Sequence, residues 1–340
     1  MNAPAAIDPI DDDEEDDGSA ALVVASDAGG LVPLGLVDSA RGYAADARAA
    51  ATRQKYREQW ERFDQWCDAH GFCALPTSAT ALSLYLSACA DDGLSVATLG
   101  QALAAIAEVH KRSGHPSPRT LPKVREVWKG IRRRLGTAPR RRVAPVIVDE
   151  LRQLAEVLDE TRIGRRDRAL LTIGFAAALR RSELVALDVE DLRFTADGLE
   201  ILVRKSKTDQ EGEGALVGVP FGSDLATCPV RSLRTWLADV ALEEGAVFRA
   251  VSRHGRLGER LSDRDVARIV KRTALRAGLD PAPYAGHSLR AGLATSAAKA
   301  GKRDRAIMKQ GRWRSRAMVD RYVRDATLID DDNAAAGIGL

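Results

Sequence analysis

The sequence predicts a mainly α-helical protein with a small β component, from three features. Apolar residues recur at helical spacing through most of the chain after about residue 44. Four aromatic residues spaced by four and three positions share one helix face: Tyr56, Trp60, Phe63 and Trp66. Strand-like alternation is confined to two short runs, 199–204 and 215–220, which predict a β-hairpin with a long charged tip. No internal repeat is present.

Composition divides the 340 residues into five segments. Residues 1–43 are acidic and rich in Ala and Gly, and we expect them to form a disordered tail. Residues 44–136 should form a helical domain, and 137–144 a basic linker. A second domain is expected over 145–330, followed by a tail of small residues at 331–340.

Helix boundaries in the first domain follow from capping residues. One helix should begin near Ser78, after Pro76, and the next at Ser95 as its N-cap. A fourth helix is expected from Pro122 to Leu135. Its far end and the linker carry many cations and few acids, which favours contacts with DNA phosphates. The predicted DNA-binding residues are Lys123, Lys129, Arg132, Arg133, Arg134, Arg140, Arg141 and Arg142.

The second domain should begin with a helix capped by Asp149, followed by a mostly apolar core helix from Asp167 to Ala178. The predicted hairpin comes next. Five helices are then expected, at about 230–243, 262–277, 288–300, 304–310 and 317–323.

Charge is distributed unevenly along the chain. Eight acids and no Lys or Arg lie in residues 1–20, so the net charge of +3 leaves +11 on the remainder. A basic body with an acidic tail suits a polyanion-binding protein, although a solubilising tail on an ordinary surface would look the same. The four cysteines form no CxxC pair, and we expect reduced thiols in a cytoplasmic, nucleoid-associated protein. We find no apolar run of about 20 residues and no secretory leader.

One segment, 287–322, concentrates groups suited to phosphate chemistry. It contains His287-Ser288-Leu289-Arg290, then Gly311-Arg312-Trp313-Arg314-Ser315, and then Tyr322. Arg180 and Lys207 supply further cations upstream. The segment suggests a site that holds a phosphate while a tyrosine attacks it. There is no GxxxxGK[ST] loop, the five histidines are scattered, and no acidic cluster outside the tail resembles a two-metal site, so we expect no cofactor or metal.

These residues, in this order, resemble the catalytic motifs of the tyrosine recombinases, the phage integrase family, including its Cre-like members. Ala178-Leu179-Arg180-Arg181-Ser182-Glu183-Leu184 resembles the first arginine motif, and His287–Arg290 the HxxR box. Arg204-Lys205-Ser206-Lys207-Thr208-Asp209 resembles the hairpin that carries a catalytic lysine. Trp313 lies nine positions before Tyr322, where members of the family carry His or Trp. The resemblance covers about residues 45–330.

The resemblance implies the following catalytic residues: Arg180, Lys207, His287, Arg290, Trp313 and Tyr322. Tyr322 would attack phosphorus and form a 3′-phosphotyrosine, with His287 as its hydrogen-bond partner or base. The guanidiniums of Arg180 and Arg290 would bind the charged oxygens of the phosphorane. The amine of Lys207 would protonate the leaving 5′-oxygen. Glu183 would orient its neighbours. The Trp313 indole has one N–H donor, so it either donates to a phosphate oxygen or packs against the helix of the tyrosine.

The family's fold would comprise a helical, SAM-like core-binding domain and an α+β catalytic domain that clamp the duplex. The implied partners are double-stranded recombination sites and further copies of the chain, as a dimer or tetramer on DNA. Accessory DNA-bending proteins are left open. So are three other functions: a type IB topoisomerase, a telomere resolvase, and a DNA-binding protein whose active site has decayed.

Overall fold

A computed structural model describes residues 22–24, 31–46, 50–138, 143–204 and 213–326. The chain separates into two compact units, Met1–Ala138 and Pro139–Leu340. Both units are largely helical and their sheets are small, which confirms the predicted fold class. No helix in the described ranges is long and apolar enough to cross a bilayer.

The described residues of the first unit form five helices: α1 (Leu34–Asp46), α2 (Ala50–Ala69), α3 (Ala79–Asp91), α4 (Val96–Arg112) and α5 (Pro122–Leu135). Strands β1 (Leu22–Val24) and β2 (Leu31–Pro33) precede them as an antiparallel pair. These strands and most of α1 lie within the segment 1–43 that we expected to be disordered; residues 1–21 are outside the described ranges.

Three of the four residues of the predicted aromatic face, Trp60, Phe63 and Trp66, pack in or against the core of this unit. Phe63 is fully buried, and its ring lies 5.0 Å from that of Tyr85 in an edge-on arrangement. The predicted caps are also present. Ser78 Oγ accepts a hydrogen bond from Ala81 N (3.1 Å), and Ser95 Oγ accepts one from Thr98 N (3.2 Å).

His110 is buried at the end of α4 and bonds through both ring nitrogens. Nδ1 lies 2.8 Å from Ile106 O, and Nε2 accepts from Thr77 N at 2.9 Å. These partners require the neutral ring with its proton on Nδ1. Burial lowers the pKa of His110 below its ordinary value. The unfolded chain therefore binds more protons, and the stability from His110 is present above about pH 6.5 and is lost as pH falls below it.

We expect α4 to open more readily at pH 5.5 than at pH 7.5, because protonated His110 cannot accept from Thr77 N–H. Hydrogen exchange of α4 peptides, corrected for intrinsic rates, measures this opening. His110→Ala should lose the pH dependence and cost about 1–3 kcal/mol. The exposed His254 in the second unit is the control, and His254→Ala should keep the pH dependence. Equal pH dependence in wild type and His110→Ala would contradict the assignment.

The second unit begins with three helices, α6 (Val148–Glu156), α7 (Arg162–Ala176) and α8 (Arg181–Ala186). An antiparallel sheet follows in the order β3 (Leu192–Phe194), β4 (Gly198–Val203) and β5 (Ala215–Pro220), in which β4 and β5 form the predicted hairpin. Then come α9 (Pro229–Asp239), the antiparallel pair β6 (Arg249–Val251) and β7 (Leu257–Arg260), and α10 (Asp263–Arg276). The last helices are α11 (Ser288–Lys299), α12 (Asp304–Gly311) and α13 (Arg316–Ala326).

Helix α7 lies at the centre of this core, between α9 and α11. A Cβ at Gly174 would lie 2.8 Å from Leu289 Cδ1, so the missing side chain allows α11 to approach α7 closely. Gly292 allows α11 to approach the segment before α6, because a Cβ there would lie 1.8 Å from Val146 O. The close approach brings the start of α11 next to the turn that follows α7.

Three details of the predicted helices were wrong. The N-cap of α6 is Ile147, and the side chain of Glu150 accepts from its N–H at 2.9 Å, while Asp149 lies in the first turn. Helix α7 starts at Arg162, five residues before Asp167, because its polar first turns are capped by Thr161 and ion-paired with Glu160 and Asp239. Helix α9 ends at Asp239, four residues early. Strands β3, β6 and β7 were not predicted, since each has only three or four residues.

Candidate active site

Arg180 and Glu183 lie at the turn between α7 and α8. The chain reverses through Ala178, whose φ of 47° is left-handed, and Arg180 is the N-cap of α8. Glu183 is buried and its Oε2 accepts from Arg180 N at 2.9 Å, while its Oε1 accepts from Arg180 Nη1. The carboxylate therefore bonds to both the backbone and the guanidinium of Arg180.

The Arg290 guanidinium joins two separate parts of the unit. It is 4% exposed; Nη1 donates to Ala178 O at 2.5 Å, and Nη2 donates to Gly311 O at the end of α12. The pKa of Arg290 is lowered to about 10, mainly by burial and secondly by the charge of Arg180, so Arg290 stays protonated at neutral pH. Arg290 thus lies next to Arg180, held by bonds to the backbone.

The Trp313 ring lies close to both Arg290 and Tyr322. The Arg290 guanidinium carbon lies 4.3 Å from the centroid of the indole. The ring of Tyr322, on α13, lies 5.8 Å from the indole, centroid to centroid. Trp313 is buried in a small apolar cluster with Ala294, Ile307 and Val319. Of the two predicted roles of the indole, these contacts favour packing against the helix of the tyrosine. Tyr322 itself is partly exposed.

Arg312 was not among the predicted site residues, yet its side chain joins the charged group formed by Arg180 and Glu183. Its Nη2 donates to Glu183 Oε2 at 2.6 Å, across 129 residues of sequence. Burial by itself would raise the pKa of Glu183. Arg312, the Arg180 N–H and the Arg180 guanidinium outweigh burial and hold that pKa below its ordinary value. The sequence signal that could have identified Arg312 as a site residue was its position directly before Trp313.

The two remaining predicted catalytic residues are His287 and Lys207. His287 is the exposed N-cap residue of α11, three positions before Arg290. Lys207 lies in 205–212, outside the described residues. The hairpin that carries Lys207 is hydrogen-bonded near its base to α12, one residue before Gly311. Gln310 Nε2 donates to Ala176 O (2.8 Å) and to Gly218 O on β5 (3.0 Å).

The predicted DNA-binding residues of the first unit line the exposed side of α5. Within the described residues, none of the five on this helix forms an ion pair with a carboxylate: Lys123, Lys129, Arg132, Arg133 and Arg134. Next to them is a cavity of about 740 Å³ lined partly by Trp128, Lys129 and Arg132, together with Arg119 and Arg125, which the prediction omitted. Arg140, Arg141 and Arg142 are outside the described residues.

The described side chains include no group of three or more His, Cys, Asp or Glu residues that could hold a metal ion.

Known proteins are similar to this chain in sequence and in fold. The model of the phage integrase family matches residues 146–328. An integrase/recombinase XerD homologue of Selenomonas ruminantium is 38% identical over 291 residues, which cover 84% of this chain and 85% of the relative. Tyrosine recombinase XerC of Xanthomonas axonopodis pv. citri is 34% identical over 143 residues, but these cover 42% of this chain and 41% of XerC.

Two solved structures have a similar fold at low sequence identity. One is a lambda integrase dimer bound to a COC′ core site, with a TM-score of 0.58 and 17% identity over 88% of this chain and 95% of the other. The second is the Tn1549 transposon integrase in complex with transposon right end DNA, with a TM-score of 0.57 and 14% identity over 85% and 95% of the two chains. The family model and the extended similarity to the XerD homologue together decide the identity: this chain belongs to the phage integrase family of tyrosine recombinases.

Proposed function

We propose that this chain is a site-specific DNA recombinase that cuts and rejoins double-stranded DNA through a covalent bond to Tyr322. The observation that carries the proposal is the convergence of Arg180, Arg290, Trp313 and Tyr322 from four separate elements. Two fixed guanidiniums beside a partly exposed phenol suit the transfer of a phosphoryl group to the tyrosine oxygen.

In the proposed cleavage step, Tyr322 Oη bonds to the scissile phosphorus and the bond from phosphorus to the 5′-oxygen breaks. The phenol proton passes to His287, and the leaving 5′-oxygen takes a proton from Lys207. Arg180 and Arg290 stabilise the charge on the non-bridging oxygens of the phosphorane. The products are a 3′-phosphotyrosine and a free 5′-hydroxyl. The phosphate ester is exchanged and not hydrolysed, so attack by a 5′-hydroxyl rejoins the strand without ATP.

The exposed cations of α5 are proposed to hold the duplex. Phosphate contacts of this kind give binding that weakens steeply with salt and depends little on sequence. The exposed side chains of Lys129, Arg132, Arg133 and Arg134 support this role, since none of them pairs with a carboxylate in the part of the chain that the structure describes. The same role is proposed for Arg140, Arg141 and Arg142.

Covalent trapping tests the proposed function. The full chain is incubated with nicked duplexes, taken from binding-selected sequences, that lose the leaving strand after cleavage. We expect an adduct that survives denaturation, with the DNA on Tyr322 by peptide mass spectrometry. Tyr322→Phe should bind the same DNA and form none, whereas Tyr43→Phe, at an exposed tyrosine of the first unit, should react like wild type. Binding without any adduct from wild type would refute the proposal.

A second assay separates recombination from the other enzymatic alternatives. Two duplexes that carry the selected site should exchange strands in the presence of the protein. Relaxation of supercoiled plasmid, with an adduct but no exchange between sites, would instead favour a topoisomerase.

We further propose assembly to a tetramer on DNA, in which the segment after Tyr322 docks on a neighbouring copy. Ala326, Leu328 and Ile329 are the apolar residues available for this contact. The second unit has an apolar cavity of about 460 Å³, lined in part by Phe175, Phe221 and Leu293, that suits such a segment. Deleting residues 327–340 should leave binding to a half-site intact and abolish the larger complexes in sedimentation. Complexes of unchanged size after the deletion would contradict the proposal.

A further inference from the structure

Arg312 adopts a backbone conformation that its side chain does not favour. It follows α12 with φ 55° and ψ 43°, the left-handed region that favours glycine at the end of a helix. The residue caps α12 through its own N–H, and a glycine would do the same without strain. Any contribution specific to arginine must therefore come from the side chain.

The side chain of Arg312 is buried against Glu183. It is 11% exposed, and its closest charged contact is the 2.6 Å bond to Glu183 Oε2. Nη1 makes two longer bonds, to Gln310 O (3.3 Å) and Ala177 O (3.4 Å). These bonds hold the guanidinium of Arg312 next to Glu183, which also pairs with Arg180.

The resulting group of charges is unbalanced. Glu183 contributes one negative charge, and Arg180, Arg290 and Arg312 contribute three positive charges, which leaves these four side chains at +2. The excess charge acts within the group, because Arg180 and Arg312 add to the effect of burial in lowering the pKa of Arg290. A purely structural ion pair would need only one guanidinium for Glu183. Cations that repel each other in a buried site are stabilised when an anion of matching charge binds there.

We propose that Arg312 is a positioning residue for strand cleavage: it pairs with Glu183 Oε2, offsets the charge of the carboxylate that also binds Arg180, and keeps these four side chains at +2. This inference rests on the proposed function. A phosphodiester has one negative charge, and the phosphorane formed by attack of Tyr322 carries a second on its non-bridging oxygens. The charge of the cluster thus matches the transition state better than the bound substrate, and Arg312 should act on the rate of cleavage more than on affinity.

The test compares three variants with wild type on the nicked duplexes described above, by single-turnover adduct formation and by DNA affinity. Arg312→Gln removes the charge and should slow cleavage about 10²-fold while affinity changes by less than about threefold. Arg312→Gly preserves the left-handed turn and should be as slow as Arg312→Gln. Arg312→Gln combined with Glu183→Gln returns the cluster to +2 and keeps an acceptor for Arg180 N, so it should recover at least about tenfold of the lost rate.

Each measurement has an outcome that overturns the inference. Arg312→Gly cleaving as fast as wild type would show that the side chain has no part in the reaction. Failure of the Glu183→Gln change to restore any rate would exclude the charge-balancing role. A loss of affinity equal to the loss of rate would mean that Arg312 acts on binding. The proposed function fails separately, if wild type forms no adduct at all.

Discussion

Replacing Arg290 by alanine is expected to reduce single-turnover cleavage by about 10³-fold and to destabilise the second unit. The rate should fall because a fixed donor to the phosphorane is lost. Stability should fall because Ala178 O and Gly311 O lose their partner inside the protein, at about 1–3 kcal/mol for each carbonyl. Arg290→Lys keeps the charge, but an ammonium cannot bridge both carbonyls in the planar geometry of a guanidinium. It should therefore be slow as well, with a smaller loss of stability.

Arg276 provides a matched control for this prediction. Its Nη2 also donates to a backbone carbonyl, Val157 O at 2.6 Å, but on an exposed surface of α10. Arg276→Ala should leave cleavage unchanged and cost less than about 1 kcal/mol. Adduct formation and thermal unfolding measure the two effects. Cleavage by Arg290→Ala within threefold of wild type would remove Arg290 from the reaction.

The second large effect is expected from Gly311→Ala, a change of one methyl group. A Cβ at this position would lie 1.8 Å from Cζ3 and 2.1 Å from Cε3 of Trp313, so the indole must move. The ring contacts both Arg290 and Tyr322, and a shift of about 1 Å in the nucleophile is worth about 10²-fold in rate. Overpacking should also cost about 1–3 kcal/mol of stability.

Gly130 on α5 tests whether the effect comes from the contact and not from the Gly-to-Ala change itself. No atom lies within 4 Å of a Cβ built there, so Gly130→Ala should be neutral or stabilising by up to about 1 kcal/mol. Unfolding of both variants and adduct formation by Gly311→Ala are the measurements. If Gly311→Ala cleaved at the wild-type rate, the position of the indole would not matter to the tyrosine.

Several parts of the fold could be predicted because their signals are local. Helix α5 has the predicted bounds, Pro122–Leu135, since a proline starts it and Gly136, at φ 72°, ends it. Ser78 and Ser95 cap helices because a short hydroxyl side chain reaches the N–H three residues on. The hairpin of β4 and β5 follows from alternation alone. The prediction failed where the local signal was weak. Ile147 is not a typical N-cap residue, and the unpredicted strands are too short to show alternation.

The candidate site divides in the same way. The order and spacing of Arg180, His287, Arg290, Trp313 and Tyr322 were enough by themselves to identify the family and the chemistry to look for. Only the tertiary structure decided what those groups touch. Arg290 bonds to a carbonyl 112 residues away, and Arg312 pairs with Glu183 across 129. A backbone carbonyl has the same chemistry at every residue, so nothing in the sequence marks it as a partner. The contacts exist because Gly174 and Gly292 allow α11 to pack closely in the core, and packing depends on the whole unit at once.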